Sequence, residues 1–419
     1  MITAAVALFW GLVVLALAQA LLVPRFVWRL TRSRPAPAAD TQCPKTSVVL
    51  CLRGPDPFLA TCLEGLLHQD YPRYDVRIVV DCVDDPAWHT VHEVLGRGAP
   101  VHVDVQPLTE RRKTCSLKCS SLLQAISQLD QSCEVVALLD ADTIPHRTWL
   151  RELVAPLADP QVGAASGNRW YMPAVLSWGS LVRYLWNAAA VVQMFWYRIP
   201  WGGSLAVKTT ALRECGLLDR WGKSFCEDTM LFRQLKREGY KVAFVPSLMM
   251  VNREACNIPN FFGWVRRQLL TARLYHPAWA LVAGHGLGLC VAHLAALTLL
   301  LVAVFRGQWT AAAWIAGAQA LYWGVMAVLM VALETGVRPI PAARGEPTRW
   351  LSPLGCVWLG AALLLTQAVY AAAMLSAMTV RNVAWRGVHY EIGGPFRIRL
   401  VDDRPYCVDP TGRQEDKSL

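Results

Sequence analysis

The apolar residues of this 419-residue chain are concentrated in four long blocks. The first covers residues 4–23 (AAVALFWGLVVLALAQALLV), and about twenty nearly uncharged residues are the length that spans the hydrocarbon core of a bilayer. Similar blocks cover 278–305, 309–333 and 353–380. The sequence between the first and second blocks has the mixed polarity of a soluble domain. The pattern therefore predicts a soluble domain that is anchored in a membrane from both sides of the chain.

This pattern divides the chain into four predicted segments. They are an N-terminal transmembrane anchor (1–30), a soluble domain (31–277), C-terminal membrane helices (278–380) and a basic tail (381–419).

Within the soluble domain, short apolar runs alternate with segments of helical periodicity. We predict strands at 47–52, 76–80, 101–105 and 134–139, with helices at 58–69 and 117–129. The alternation indicates an α/β domain with a mostly parallel sheet that helices cover on both faces. Ligands of such sheets bind beyond the carboxyl ends of the strands.

The first apolar block could be a retained anchor or a cleaved signal peptide. Its basic residues follow the block instead of preceding it: Arg25, Arg29, Arg32 and Arg34. By the positive-inside rule this order predicts a retained anchor with the following domain in the cytoplasm. We therefore expect an integral membrane protein, of a bacterial inner membrane, with a cytoplasmic catalytic domain.

The composition agrees with a membrane protein, because hydrophobic residues make up 54% of the chain and charged residues only 17%. The net charge of +10 comes from basic residues beside the apolar blocks, as expected at an anionic lipid surface. No nucleic-acid motif accompanies it, so we expect no nucleic-acid partner.

The thirteen cysteines form no C-x-x-C pair, which indicates a reduced domain without a zinc site. His285 and His293, inside an apolar block, are interpreted as packed or interfacial residues.

Carboxylates follow two of the predicted strands. Asp81 follows VRIVV, with Asp84 close behind, and Asp140 and Asp142 follow EVVALL in the stretch ALLDADTIP. Both groups should lie at the same edge of a parallel sheet. The chain has neither a G-x-G-x-x-G fingerprint nor a Walker lysine loop, which argues against a dinucleotide cofactor or an ATPase. A divalent cation held by carboxylates could bind a nucleoside diphosphate instead.

Several segments resemble family-2 glycosyltransferases of the GT-A fold, and within them the ceramide glucosyltransferase branch. The resemblance covers residues 45–277 and 385–394. Its pieces are SVVLCLRGPDPFLATCLEGLLHQDYPRYDV, VVDCVDDPAW, LKCSSL, LLDADTIP, WGGSLAV, FCEDTMLFRQLKREGY and WRGVHYEIGG. It implies a GT-A nucleotide-diphospho-sugar transferase domain.

The resemblance also implies roles for individual residues on the donor side. Asp81 or, alternatively, Asp84 would contact the uracil or ribose of a UDP-sugar. Asp140 and Asp142 would bind the divalent cation, Mg or Mn, that bridges the two phosphates. Lys118 matches a donor-site lysine, although an exposed helix lysine is an alternative.

On the acceptor side, the resemblance makes Asp228 the catalytic base and Glu227 its neighbour. A helix start is the alternative for this acidic pair, since acids favour the first turn of a helix. The loop at Gly203 and Ser204 would approach the sugar or the acceptor, and a simple turn is the alternative.

One departure concerns the family motif Q/R-x-x-R-W. The segment here reads WVRRQLLTARLYHP, in which Gln268 follows Arg267 where a tryptophan is expected. Arg266, Arg267 and Arg273 are candidates for contact with the leaving group, and Trp264 for contact with the acceptor. A basic amphipathic helix at the membrane surface would have a similar sequence.

These observations lead to one hypothesis: an inverting, metal-assisted transfer of a hexose from a UDP-sugar to the hydroxyl of a membrane lipid, ceramide-like or hopanoid-like. Within enzymes the alternative is a processive polysaccharide synthase. From another class it is a non-catalytic membrane transporter or binding protein. The sequence leaves the oligomeric state open. A single crossing of the membrane by 353–380 would place the basic tail on the opposite side from the soluble domain. Either that block is re-entrant or partly in-plane, or the tail lies outside. We favour a cytosolic tail.

Overall fold

The computed structural model describes residues 1–32, 39–173, 175–348, 350–404 and 406. Its strands are β1 (Thr46–Leu52), β2 (Tyr74–Val80), β3 (Val103–Pro107), β4 (Val135–Leu139), β5 (Val162–Tyr171), β6 (Ser204–Lys208), β7 (Lys241–Asn252), β8 (Asn382–Trp385), β9 (Val388–Gly394) and β10 (Arg397–Asp402). Its α-helices are α1 (Ile2–Arg32), α2 (Leu59–Leu67), α3 (Pro86–Gly96), α4 (Leu117–Ser127), α5 (Trp149–Val154), α6 (Trp178–Tyr197), α7 (Thr209–Glu214), α8 (Leu217–Trp221), α9 (Leu231–Arg237), α10 (Ile258–Tyr275), α11 (Trp279–Phe305), α12 (Trp309–Val337), α13 (Pro339–Ala343) and α14 (Pro353–Thr379).

The central sheet has the strand order β3-β2-β1-β4-β6-β5-β7 in the described part of the chain. Strands β1 to β4 pair in parallel, β6 runs antiparallel to both of its neighbours, and β5 pairs in parallel with β7. The expected mostly parallel α/β sheet is therefore confirmed. The apolar runs of β1 and β4 are buried nearly throughout, because helices cover both faces of the sheet.

The register of the parallel strands places their carboxyl ends side by side. Leu52 at the end of β1 pairs with Val80 at the end of β2, and Leu50 pairs with Leu139 at the end of β4. The residues that follow β1, β2 and β4 therefore meet at one edge of the sheet.

The C-terminal strands β8, β9 and β10 form a separate antiparallel sheet. Its inward residues, including Val388, Tyr390 and Ile392, belong to the same hydrophobic core as helix α4 and helix α9. The Tyr390 hydroxyl also accepts a hydrogen bond from the backbone nitrogen of Leu117 at 3.2 Å. Residues 382–402 thus pack directly on the α/β domain.

Among the described residues, four helical segments are long and apolar enough to cross a membrane: Ile2–Arg32, Trp279–Phe305, Trp309–Ala343 and Pro353–Thr379. Helix α1 packs along α12. Helix α14 packs along α10 and α6. Trp358 near its start stacks on Trp178 with ring centroids 4.9 Å apart, and Arg273 donates a hydrogen bond to the Val380 carbonyl at its end, at 3.1 Å. Both ends of α14 therefore contact the α/β domain.

Candidate active site

The two carboxylates that follow β4 are each paired with a cation. Lys118, in the first turn of α4, lies 2.7 Å from Asp140 Oδ1. Arg169, on β5, lies 2.9 Å from Asp142 Oδ1 and 3.6 Å from Asp140 Oδ2, and its guanidinium stacks 4.5 Å from the Trp201 ring centroid. Two carboxylates and two cationic side chains are thus in direct contact at the end of β4.

Lys118 also joins the β4 end to the acidic pair that precedes α9. Its Nζ lies 2.6 Å from Oε1 of Glu227, whose side chain is 3% exposed. Asp228 Oδ2 accepts a hydrogen bond from the Gly202 nitrogen at 2.8 Å, and its Oδ1 accepts one from the Thr229 hydroxyl at 2.8 Å. These two donors fix the orientation of the Asp228 carboxylate.

The glycines of WGGSLAV allow this close packing. A Cβ at Gly202 would collide with the Glu227 carboxylate, and a Cβ at Gly203 would lie 2.6 Å from Asp140 Oδ2. Ser204, in contrast, is buried on β6, where its hydroxyl accepts a hydrogen bond from Trp149 Nε1 at 2.9 Å. Gly203 therefore lies against Asp140, one of the site carboxylates, whereas the hydroxyl of Ser204 is bound to Trp149.

Burial and charge separate the pKa values of these acids. Burial raises the pKa of Glu227 to about 7, against the opposing charge of Lys118 and with the help of Asp228 and Asp140. Burial likewise raises the pKa of Asp142, and Arg169 offsets only part of the effect. For Asp140 the effect of burial is overcome by Lys118 and then Arg169, which lower the pKa of its carboxyl. Burial thus brings the pKa of Glu227 close to neutral pH.

The Asp81 side chain, 2% exposed, is held by arginines from two loops. Arg53 pairs with its Oδ2, and Arg111 lies 2.8 Å from its Oδ1. The backbone nitrogen of Tyr406 donates to Asp81 Oδ2 at 2.9 Å, so Tyr406 lies against this carboxylate. Asp84 is exposed and does not line the cavity.

Helix α10 divides the candidates from the segment WVRRQLLTARLYHP into two groups. Trp264, Arg267 and Gln268 line the cavity, and the Arg267 guanidinium lies 4.8 Å from the Trp385 ring centroid. Arg266 lies 6.0 Å from the Phe262 ring centroid, outside the cavity lining. Arg273 is also outside it and donates to the end of α14. Of the three arginines of this motif, α10 directs only Arg267 into the cavity.

Two adjoining cavities meet at the acidic pair. The first, of about 220 Å³, is the polar cavity, and its lining includes Asp81, Lys118, Asp140, Asp142 and Glu227. The second, of about 440 Å³, is the apolar cavity, and residues of α1, α6, α10, α11, α12 and α14 line it. The residues that line both cavities include Asp228, Gln268, Thr271, Trp186 and Trp201.

Several lining residues of the polar cavity were not predicted from the sequence as site residues. They are Arg53, Arg169, Tyr171, Trp186, Trp201 and Arg386. One feature of the sequence could have indicated Arg169. It lies within the buried strand SGNRWY, and a buried cation requires an anionic partner. Arg386 lies in the segment WRGVHYEIGG, which carried the resemblance without an assigned role.

The mostly parallel sheet with paired carboxylates beyond its strand ends places the chain among α/β enzymes that bind their ligands at the carboxyl ends of the strands. A family model described as "Glycosyl transferase family 21" matches residues 8–395, and the chain belongs to this family. The protein is therefore a glycosyltransferase. No curated protein sequence matches the chain.

Three similar solved structures share little sequence identity with this chain. Mannosyltransferase PcManGT from Pyrobaculum calidifontis, in complex with GDP-Man and Mn2+, is 22% identical, with coverage of 88% of this chain and 99% of that chain and a TM-score of 0.46. Glucosyl-3-phosphoglycerate synthase from Mycobacterium tuberculosis is 15% identical over 54% of this chain and 77% of that chain, with a TM-score of 0.36. TarS 1-349 from S. aureus is 13% identical over 84% and 98%, with a TM-score of 0.37.

Proposed function

We propose that the protein transfers a hexose from a UDP-sugar to the hydroxyl of a membrane lipid, with inversion at the anomeric carbon. The observation that carries this proposal is the position of Asp228, which lines both the polar cavity and the apolar cavity. A charged donor would occupy the first and a lipid the second. Their reacting atoms would then meet at Asp228, the one carboxylate among the described residues that lines both cavities.

Asp140 and Asp142 are the residues that would hold a divalent cation. The described residues contain no group of three or more His, Cys, Asp or Glu side chains that could hold a metal ion. Mg²⁺ nevertheless binds commonly through one or two carboxylates together with substrate phosphates and water, so this pair fits it. When bound, the cation would stabilise the negative charge that develops on the diphosphate leaving group. Lys118 and Arg169, already beside these carboxylates, would add positive charge next to the same phosphates.

Asp228 is the proposed base. A carboxylate that removes the proton of the attacking hydroxyl must lie within hydrogen-bond reach of it and keep a fixed orientation. The Gly202 nitrogen and the Thr229 hydroxyl supply that orientation. Direct attack of the hydroxyl on the anomeric carbon breaks the bond to UDP in the same step, needs no enzyme nucleophile and inverts the anomeric centre. Glu227, which pairs with Lys118, would adjust the net charge on the donor side of the site.

The apolar cavity suits a lipid acceptor with one polar group near its hydroxyl. Its walls come mainly from the four candidate membrane helices together with α6 and α10, and three polar side chains meet in it. His285 Nε2 lies 2.6 Å from Gln19 Nε2, and His285 Nδ1 lies 3.2 Å from Gln193 Nε2. Polar residues among membrane helices are costly and commonly functional. We assign this cluster to recognition of a polar group of the acceptor.

We further propose that the catalytic domain is cytoplasmic and that α14 lies in the plane of the membrane surface. The basic residues Arg25, Arg29 and Arg32 at the end of α1 support a cytoplasmic domain. The contacts of both α14 ends with the α/β domain support an in-plane helix, because a crossing would separate them. The exposed apolar residues Leu354, Leu364 and Leu375 would then face lipid.

The direct test is product identification. The solubilised full-length protein is incubated with radiolabelled UDP-sugars and lipid extracts, with and without a metal chelator, and the labelled products are separated and identified by mass spectrometry. We expect label in an organic-soluble lipid with the opposite anomeric configuration to the donor. Asp228→Asn is the inactive control. Label found only in a water-soluble or polymeric product would contradict a lipid acceptor.

A further inference from the structure

A third cavity, of about 420 Å³, lies between the end of α1, the end of α6 and the start of β7. Three arginines line it: Arg25 and Arg29 on α1, and Arg198 directly after α6. The aromatic residues Phe195, Trp196 and Phe244 form much of the remaining wall. We call it the arginine cavity. It does not share the carboxylates of the active site.

The arginine cavity is strongly electropositive. None of its described lining residues is acidic. Desolvation, followed by the like charge of Arg29, lowers the pKa of Arg198, so the two guanidinium groups are close enough to repel each other. An anion bound between them would relieve that repulsion. The chemistry of the lining thus selects a compact anion that accepts several hydrogen bonds from guanidinium groups, which is the property of a phosphate.

The backbone of Arg198 provides a second, independent observation. Arg198 adopts the left-handed conformation, with φ of 57° and ψ of 43°, at the end of α6. Glycine or asparagine is the usual residue at this position of a helix, since other side chains are strained there. Strained residues cluster at active sites and at positions that hold ligands. The arginine at this position therefore indicates a function for its side chain.

The position of the cavity along α1 identifies the source of the phosphate. The exposed aliphatic side chains of α1, including Val14, Leu17 and Leu21, end just before Arg25. The change from apolar to basic residues marks the boundary between the hydrocarbon core and the headgroup layer. Trp196, which is partly exposed and donates a hydrogen bond from Nε1 to the Leu22 carbonyl at 3.2 Å, is an aromatic residue of the kind enriched at this level.

We propose that the arginine cavity binds the phosphate of an anionic phospholipid headgroup, at a site separate from catalysis. Basic pockets beside membrane helices on the cytoplasmic side are known to suit such headgroups. Trp196 also lines the apolar cavity, so the bound lipid would lie beside the proposed acceptor path. This inference rests on the geometry of the arginine cavity and holds whether or not the acceptor of the reaction is a lipid.

The test measures lipid binding to the full-length protein by native mass spectrometry in a mild detergent. Phosphatidylglycerol and phosphatidylcholine with the same acyl chains are titrated in parallel, and inorganic phosphate is added as a competitor. The main variant is Arg198→Gly, which removes the guanidinium and also relieves the backbone strain. We expect about fivefold weaker phosphatidylglycerol binding, the effect of one arginine near an anionic lipid, with no decrease in Tm. Arg25→Gln combined with Arg29→Gln should weaken it further.

Arg306→Gln is the matched control, because Arg306 directly follows α11 and is not among the residues that line the arginine cavity. Selective loss of phosphatidylglycerol binding in Arg198→Gly, with no competition from millimolar phosphate, supports a headgroup site. The same loss, together with competition from inorganic phosphate, supports a site for the phosphate group that free phosphate also occupies. Equal binding of the two lipids by the unaltered protein, or equal losses in Arg198→Gly and Arg306→Gln, would overturn the proposal.

Discussion

Replacement of Lys118 by methionine tests whether one buried ammonium group holds the active site together. Lys118 Nζ lies 2.7 Å from Asp140 and 2.6 Å from Glu227, and its side chain is 18% exposed. Methionine keeps most of the length of the side chain but removes the charge. Two carboxylates would then face each other without this cation.

The size of the effect follows from the burial of the partners. Removing one member of a buried ion pair costs about 3–5 kcal/mol of stability, and the partial exposure of Asp140, 28% for its side chain, favours the lower end. At about 2–4 °C per kcal/mol for a domain of 150–250 residues, Tm should fall by on the order of 10 °C. The second substitution Glu227→Gln should restore part of this loss, because it removes the carboxylate that is more deeply buried.

The effect of pH gives the sharper test. Glu227 has a pKa of about 7 in the folded protein, above its ordinary 4.5, so the folded state holds a proton that the unfolded state releases between these values. Unfolding free energy therefore decreases as pH rises through this window. Loss of the Lys118 charge raises the pKa of Glu227 further and extends the decrease above pH 7. The Tm of Lys118→Met should consequently fall more steeply between pH 7 and 9 than that of the unaltered protein.

The assay is thermal unfolding in detergent, followed by the fluorescence of the 18 tryptophans, in buffer with a metal chelator. Lys236→Met, on the surface helix α9, is a matched control for the loss of a lysine. The reasoning fails if Lys118→Met melts within 2 °C of the control at pH 8, or if Glu227→Gln leaves its deficit unchanged.

Three further predictions concern the reaction. Asp228→Asn should lower kcat at least about 100-fold with little change in donor binding, since a general base contributes roughly 10²–10⁴-fold; Asp219→Asn, an exposed carboxylate on α8, is the control, and full activity of Asp228→Asn would refute the base assignment. Asp142→Ala should abolish metal-dependent donor binding measured by calorimetry, and unchanged metal dependence would contradict its role as a ligand. His285→Leu should raise the KM for the lipid acceptor by up to about tenfold, the value of one hydrogen bond, with the donor KM unchanged; a parallel rise in both constants would indicate a structural role instead.

The sequence predicted the part of the fold in which local pattern and burial agree. The predicted strands 47–52, 76–80 and 134–139 each lie within two residues of the observed β1, β2 and β4. These strands are buried over most of their length, so they are largely apolar and bounded by polar residues. The rule that ligands bind at the carboxyl ends of parallel strands then brought Asp81 and Asp140 to one edge, where the structure has them.

The later elements could not be predicted in the same way because long-range packing determines them. Strands β8 to β10 alternate buried and exposed residues, and their partner surface on α4 lies more than 250 residues earlier in the chain. Helix α14 has the composition of a membrane span, and the proposed in-plane orientation rests on its contacts with Trp178 and Arg273. Hydropathy measures how apolar a segment is and carries no information about these partners.

The cations of the active site show why a motif alone underdetermines its chemistry. The stretch ALLDADTIP predicted two carboxylates that are available for a metal ion, yet in the folded chain Lys118 and Arg169 already pair with them. Two carboxylates so close together repel each other, and in a partly desolvated site that repulsion must be compensated before any substrate binds. Lys118 comes from α4 and Arg169 from β5, so the compensation depends on tertiary structure. A donor diphosphate with its cation would therefore enter a site whose charges are already balanced. Binding must then rearrange ion pairs, and the affinity for the donor should depend on Arg169 as strongly as on the carboxylates themselves.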